Sequence, residues 1–299
     1  TVTSYFAWKM PAILTSYWHV VTSAMRVAAL QYCASGDAQT TLHTIEPMIT
    51  SAAKDGAQLI CLPEAASFLA AGKAALQTHA EDEADSFSLR ELSRMTNALG
   101  VWMLVGSLMI RRADGALANR SYFLGPAGTV IAHYDKIHMF DADVGDGKTY
   151  RESASFAAGD RMVLAACEAM RIGMTVCYDV RFPGLYRNLA HAGAQILSVP
   201  AAFTFDSGRA HWHVLLRARA IETGCYVVAP AQCGTHADGR RTYGHAMIIG
   251  PWGDVLAEAK TDDTVATAGA NDDVIIADLD LAAIDRARRA IPSLGNDRP

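Results

Sequence analysis

Between residues 26 and 279 the chain alternates short apolar runs with stretches whose apolar residues recur every three or four positions. Residues 26–32 (RVAALQY) alternate apolar and polar, the two-residue period of a half-buried strand. From about residue 40 to 54, Leu42, Ile45, Ile49 and Ala52 share one helical stripe that stops before Gly56. Pro47 inside it predicts a kink or a late start. Residues 57–62 (AQLICL) read as a buried strand ending at Pro63-Glu64. A helix over 86–99 and a strand over 101–110 follow. Then 121–124 and 129–133 flank Gly125-Pro126-Ala127-Gly128, a hairpin signal.

The second half repeats the theme. Strands are expected at 171–176, 194–199 and 225–230, helices at 185–191 and 210–223. A hairpin is expected from 247–249 and 255–257 around Pro251-Trp252-Gly253-Asp254. Residues 273–279 (DVIIADL) read as a last strand before a basic tail, and the polar stretch 261–271 as a loop. Strand–helix alternation broken by hairpins predicts an α/β fold, a mixed sheet covered by helices. No low-complexity linker divides it, so 25–299 reads as one domain. Residues 1–24 lack the pattern. They hold one charge, Lys9, and Pro11, Thr15 and Ser16 break the apolar centre that a signal peptide needs. They are expected to form an N-terminal extension outside the core, with Met25 as the natural beginning.

Composition narrows the function classes. At 51% hydrophobic and 19% charged, the 299 residues are neither disordered nor fibrous. A net charge of −5 gives no electrostatic reason to expect a nucleic-acid or anionic-membrane partner. No apolar run reaches the roughly eighteen residues of a membrane span. Six cysteines without a CxxC pair suggest neither a disulfide framework nor a zinc ribbon and fit a reducing cytoplasm.

Three strand ends and loops carry unusual groups: Glu64 after CLP, Cys177 after GMTV, and Lys136 beyond the first hairpin. Each alone has a plain structural reading. Cys177 fits a small buried hydrophobe, Lys136 a solvated charge, and Glu64 a helix cap or ion-pair member. Together they suit acyl transfer without histidine. A thiol needs its proton removed, a buried carboxylate with a raised pKa is a base near neutrality, and an ammonium steadies the oxyanion. The histidines offer less. His211 and His213 lie two apart on a helix and face different ways, and His236 and His245 flank a Gly/Arg-rich loop. With no HExxH or phosphate-binding glycine loop, neither a metal nor an organic cofactor is expected.

At these residues the chain resembles the nitrilase superfamily of carbon–nitrogen hydrolases. The match runs from about residue 26 to 279 and rests on LICLPEAA around Glu64, YDKIHMFDADV around Lys136 and GMTVCYDVRFP around Cys177. AGAQILSVPAAF, HWHVLLRARAIETGCYVVAPAQCG and YGHAMIIGPWGDVLA support it. The resemblance implies a four-layer αββα sandwich, paired into homodimers or higher oligomers with the outer helices stacked. It implies Cys177 as nucleophile, Glu64 as general base and Lys136 as oxyanion stabiliser. A second glutamate, orienting Lys136 and substrate, falls on Glu152 in YRESASFAAGD, with Glu168 the only nearby alternative.

Cys177-Tyr178-Asp179, where nitrilases proper have Cys-Trp-Glu, looks like the amidase branches, nearest those acting on deaminated glutathione and ω-amides. That branch tends to have Glu where this chain has His213, a charge change expected beside the site. The implied activity is hydrolysis of a small carboxylate-bearing amide through a cysteine thioester, releasing ammonia. The Tyr178 backbone N–H is expected to bind the oxyanion. Arg181 is expected either to receive the substrate carboxylate or to pair with Asp179 or an interface acid. An N-carbamoyl amine hydrolase and an inactive scaffold on this fold are the competing readings.

Overall fold

A computed structural model describes residues 24–69, 72–144, 149–168, 170–262, 264, 269–296 and 298. The expected N-terminal extension therefore lies outside the described residues except for Ala24, which already pairs with Asp280 inside a strand. The chain opens β1 (Ala24–Tyr32), α1 (Ala38–Lys54), β2 (Leu59–Cys61), α2 (Gly72–His79), β3 (Glu81–Asp82) and α3 (Phe87–Leu99). It continues with β4 (Trp102–Arg111), β5 (Leu117–Leu124), β6 (Val130–Asp135), β7 (Asp141–Asp143), β8 (Thr149–Arg151) and β9 (Val163–Cys167). Next come β10 (Met170–Met174), α4 (Pro183–His191), β11 (Ile196–Ser198), α5 (Phe205–Thr223), β12 (Tyr226–Ala229) and β13 (Ala231–Thr235). β14 (Arg241–Tyr243), β15 (Met247–Ile249), β16 (Val255–Glu258), β17 (Asp273–Asp280) and α6 (Leu281–Ala290) complete it.

Two mixed sheets organise these elements. One runs β14-β13-β1-β2-β4-β5-β6, with β17 also on β1 and β3 also on β4; the other runs β16-β15-β12-β11-β10-β9. Side-chain alternation builds the layers. Val27 and Ala29 of β1 join Ile172, Met174 and Val227 of the second sheet in one core, which α4 and α5 close with Leu189, Trp212 and Leu216. Ala28 and Leu30, on the opposite face, pack with Leu42, Ile45 and Ile49 of α1 and Leu92 of α3. The result is helix, sheet, sheet, helix: the αββα sandwich that the resemblance implies.

β1 departs from its half-buried reading. Every residue from Val27 on is buried, because helices cover one face and the second sheet the other. The inward polar Gln31 donates to the Asn271 carbonyl at 2.7 Å instead of meeting water. α1 runs from its Asp37 cap through Pro47, which lies on its exposed side, without the late start expected. The basic tail is the helix α6, capped by Asp280 and packed through Ile284 and Ala287, and its Arg288 donates to the Ala194 carbonyl at 2.9 Å. No described helix is long and apolar enough to cross a membrane.

Candidate active site

The first sheet delivers one half of the site. Leu62, Pro63 and Glu64 follow β2 across a bulge in β4 at Gly106–Ser107, where a Cβ on Gly106 would strike the Leu62 and Pro63 carbonyls. Only glycine admits that approach. Beyond it Ala65 adopts a left-handed φ of 55°, its N–H bonded to Ser107 Oγ at 3.0 Å, and the Gln232 amide holds the Glu64 and Ala65 carbonyls. Lys136 follows β6, and Glu152 opens the 3-10 turn after β8. The second sheet delivers the other half. Cys177 begins a 3-10 turn after β10 with φ 48°, a conformation that L-residues seldom hold unless the surroundings enforce it.

Asp179 enforces it. Fully buried, its carboxylate accepts from Val176 N (2.8 Å), Tyr134 Oη (2.8 Å) and His138 N (3.1 Å), and touches His138 Nδ1 at 2.7 Å. The Cys177 N–H is tied to the Pro200 carbonyl at 2.9 Å.

The four expected groups meet. Lys136 Nζ donates to Glu64 Oε1 at 3.0 Å and to Glu152 Oε2 at 2.8 Å, with the lysine 2% exposed. Glu64 Oε2 also accepts the Ala202 N–H at 2.9 Å, and Glu152 Oε2 the Phe140 N–H at 2.7 Å. Glu168, the alternative, sits exposed in the turn between β9 and β10. One member was missed. Asn119 of β5 donates from Nδ2 to both Glu64 Oε1 (2.9 Å) and Glu152 Oε1 (3.0 Å). The sequence carried no signal for it, since Asn, Arg and Ser interrupt the apolar pattern of LANRSYFL, all of which the structure buries.

The electrostatics correct one expectation. Burial pushes the Glu64 carboxyl up, but the Lys136 ammonium and hydrogen bonds from Cys177, Asn119 and Lys136 outweigh it and hold the group below its ordinary value. Burial lowers Lys136, yet Glu152, Glu64 and Cys177 raise it well above the usual lysine value. The Cys177 thiol is pushed far up by burial and by Glu64, against the pull of Lys136. The resting site is therefore a thiol beside a carboxylate, with the ammonium charged. Proton transfer from sulfur to Glu64 is uphill in this resting arrangement.

These groups open on a cavity of about 680 Å³, the size of a small-molecule site, lined also by Phe68, Met109, Phe140, Tyr178 and Phe203. Arg181 is absent from this lining. Its guanidinium lies over the Phe203 ring at 5.1 Å and beside His211 Nδ1 at 3.3 Å, and Asp179 is taken by other donors. The structure thus places Arg181 neither on the cavity nor on Asp179. Two other arginines, Arg151 and Arg240, line the cavity. Arg240 Nη2 reaches Asp238 at 3.2 Å, while its buried Nε has no hydrogen-bond partner among the described residues. His213 also lies away from the cavity. It faces Glu258 at 2.9 Å, so the expected charge change beside the site is a surface arrangement.

Comparison with known proteins gives concordant matches. The family model described as carbon-nitrogen hydrolase matches residues 26–289. The deaminated glutathione amidase of Yersinia enterocolitica is 43% identical over 236 residues, covering 78% of this chain and 82% of the relative. The protein of that name from Synechocystis sp. (strain PCC 6803 / GT-S) is 40% identical over 274 residues, covering 89% and 96%. The crystal structure of the Caenorhabditis elegans NitFhit protein superposes with a TM-score of 0.80 at 31% identity over 92% of this chain. The chain spans 65% of that longer protein.

Proposed function

Because this chain belongs to the carbon–nitrogen hydrolase family and is an enzyme of its amidase type, we propose that it hydrolyses a small carboxylate-bearing amide through a thioester on Cys177. The observation that carries the reading is the convergence of Cys177, Glu64, Lys136 and Glu152, from both sheets, on one cavity. Glu64 accepts the thiol proton as Sγ attacks the amide carbon. The Lys136 ammonium and the Tyr178 backbone N–H stabilise the oxyanion. As the C–N bond breaks, Glu64 returns that proton to the departing nitrogen, which leaves as ammonia. Water then attacks the thioester, giving one proton to Glu64. The C–S bond breaks, the proton passes back to sulfur, and the free acid leaves. Glu152 and Asn119 hold Lys136 and Glu64 in place.

The names of the two relatives support an amide that also carries a carboxylate. Arg240 is the receptor that the cavity favours, because a buried donor without an acceptor is destabilising until a ligand supplies one. Arg240→Gln is expected to raise KM for an ω-amide acid by about 10–100-fold, the equivalent of a charge-assisted hydrogen bond of about 1.5–3 kcal/mol. Its effect on kcat, and on the neutral methyl ester, is expected to be small. Equal losses on acid and ester would make Arg240 structural.

A panel of α-keto and α-amino ω-amides assayed for ammonia tests the substrate class. Carbon dioxide released with the ammonia would instead favour the carbamoyl reading. Every group given a role in this mechanism belongs to the chain itself or is water, so dialysis against EDTA is expected to leave the rate unchanged; a loss restored by zinc overturns that. Pairing into a homodimer and a cytoplasmic setting belong to the same proposal. Sedimentation at twice the chain mass tests the first. The six unpaired cysteines support the second.

A further inference from the structure

Outside the cavity, three side chains from three elements converge on one point. His213 lies on α5, His245 sits between β14 and β15, and Glu258 ends β16. Glu258 Oε1 is 2.9 Å from His213 Nε2 and 2.8 Å from His245 Nδ1, and the three ligand atoms lie within 4.8 Å of one another. None of the three lines the cavity that holds Cys177.

We propose that His213, His245 and Glu258 form a site for a divalent transition-metal ion of the zinc type. Two imidazole nitrogens and one carboxylate oxygen make a borderline-soft donor set, and three protein ligands leave a fourth position to water. Ligand atoms about 2.0–2.1 Å from a tetrahedral ion stand roughly 3.3 Å apart. The observed 2.8–2.9 Å therefore has to widen by about half an ångström, within reach of small side-chain rotations. The rings are already oriented. His245 stacks on buried Tyr243 at 4.2 Å and 25°, and meets His213 edge-on at 5.3 Å. These ring contacts hold the two imidazole planes in place. The His213 and Glu258 side chains are 36% and 34% exposed, so an ion can enter and keep its water. Without an ion, both imidazoles must present N–H to one carboxylate oxygen. With one, each presents a lone pair, and the ring proton moves to the other nitrogen.

Such an ion would tie α5 to the β15–β16 hairpin. The test uses the full chain without an affinity tag, stripped by chelator and titrated with zinc against a chromophoric competitor. The expected result is one zinc per chain, with Kd at or below about 1 µM. Tm should rise by several degrees when zinc is in excess. His213→Ala and the near-isosteric Glu258→Gln should each weaken binding at least about tenfold, with the amidase rate unchanged. Cobalt(II) in the same site should give the visible bands of a four-coordinate ion without thiolate charge transfer, which separates it from cysteine-bound metal. Absence of binding at about 100 µM free zinc, or affinity that survives either substitution, makes the trio a hydrogen-bonded contact only and overturns the proposal.

Discussion

Cys177→Ala is expected to lower turnover by about four orders of magnitude or more while leaving the chain folded. Loss of a covalent nucleophile removes the bond on which both half-reactions depend, and a 10⁴-fold loss corresponds to about 5.5 kcal/mol of barrier. Folding should be nearly untouched. Alanine keeps the Cβ that already tolerates φ 48°, the N–H bond to Pro200 is backbone, and Asp179 still holds the turn. Ammonia release gives the rate, and intact-mass measurement on the unaltered enzyme should reveal an acyl adduct that the variant cannot form. Ordinary turnover in the variant would rule out the thioester route altogether.

Glu64→Gln is expected to cost about 10²–10⁴-fold in kcat, the usual range for a positioned proton carrier. Its shape is preserved but not its hydrogen bonding: an amide NH2 must face either the Ala202 N–H or the donors Lys136 and Asn119, while Lys136 keeps Glu152 at 2.8 Å. Stability should therefore fall as well, because a buried donor is left without an acceptor. Lys136→Met contrasts with it. Two carboxylates sharing Asn119 would be left buried without their cation, and breaking such a pair from one side costs about 3–5 kcal/mol. A melt on each variant, beside kcat, separates the two roles.

The pH dependence follows in sign. Glu64 is depressed in the folded chain, so its contribution to stability is present above its ordinary value of 4.5 and fades as pH falls through the lower folded value. Lys136 is raised, so its contribution is whole below 10.5 and fades only as pH rises through the higher folded value. The acid limb of kcat/KM should accordingly lie below pH 4.5. An acid limb near neutrality would mean that Lys136 does not govern Glu64.

Much of this was legible in the sequence. β2, β10, β11 and β12 are short apolar runs, and the groups that end them, Glu64 and Cys177, stood out because polar chemistry follows an apolar strand. What stayed hidden depended on partners. β7 and β8 (DAD and TYR) carry no apolar pattern, since their sides are largely open to solvent. The strand expected at 225–230 is β12, but β13 was not foreseen: at Pro230 the chain leaves one sheet for the other. The Glu64 pKa was misjudged because its neighbourhood suggests burial, whereas the direction is set by a cation 72 residues away. Arg240 lacked any motif; its unpartnered nitrogen exists only in three dimensions. The histidine–glutamate trio was invisible for the same reason, its members lying 13 and 45 residues from Glu258.

Placing Glu64, Asn119 and Lys136 on one sheet and Cys177 on the other has a consequence for how the enzyme matures. Glu64 and Cys177 are 113 residues apart and meet only where the two sheets dock. Contacts of such long sequence separation form late, after the entropy of closing the intervening chain has been overcome. On the proposed mechanism, a chain whose sheets have not docked carries an unassisted thiol and no hydrolytic power. Thinning the seam, for example with Met174→Ala, should abolish activity at temperatures where circular dichroism still reports both sheets. Catalysis in this protein is in that sense a gauge of sheet docking.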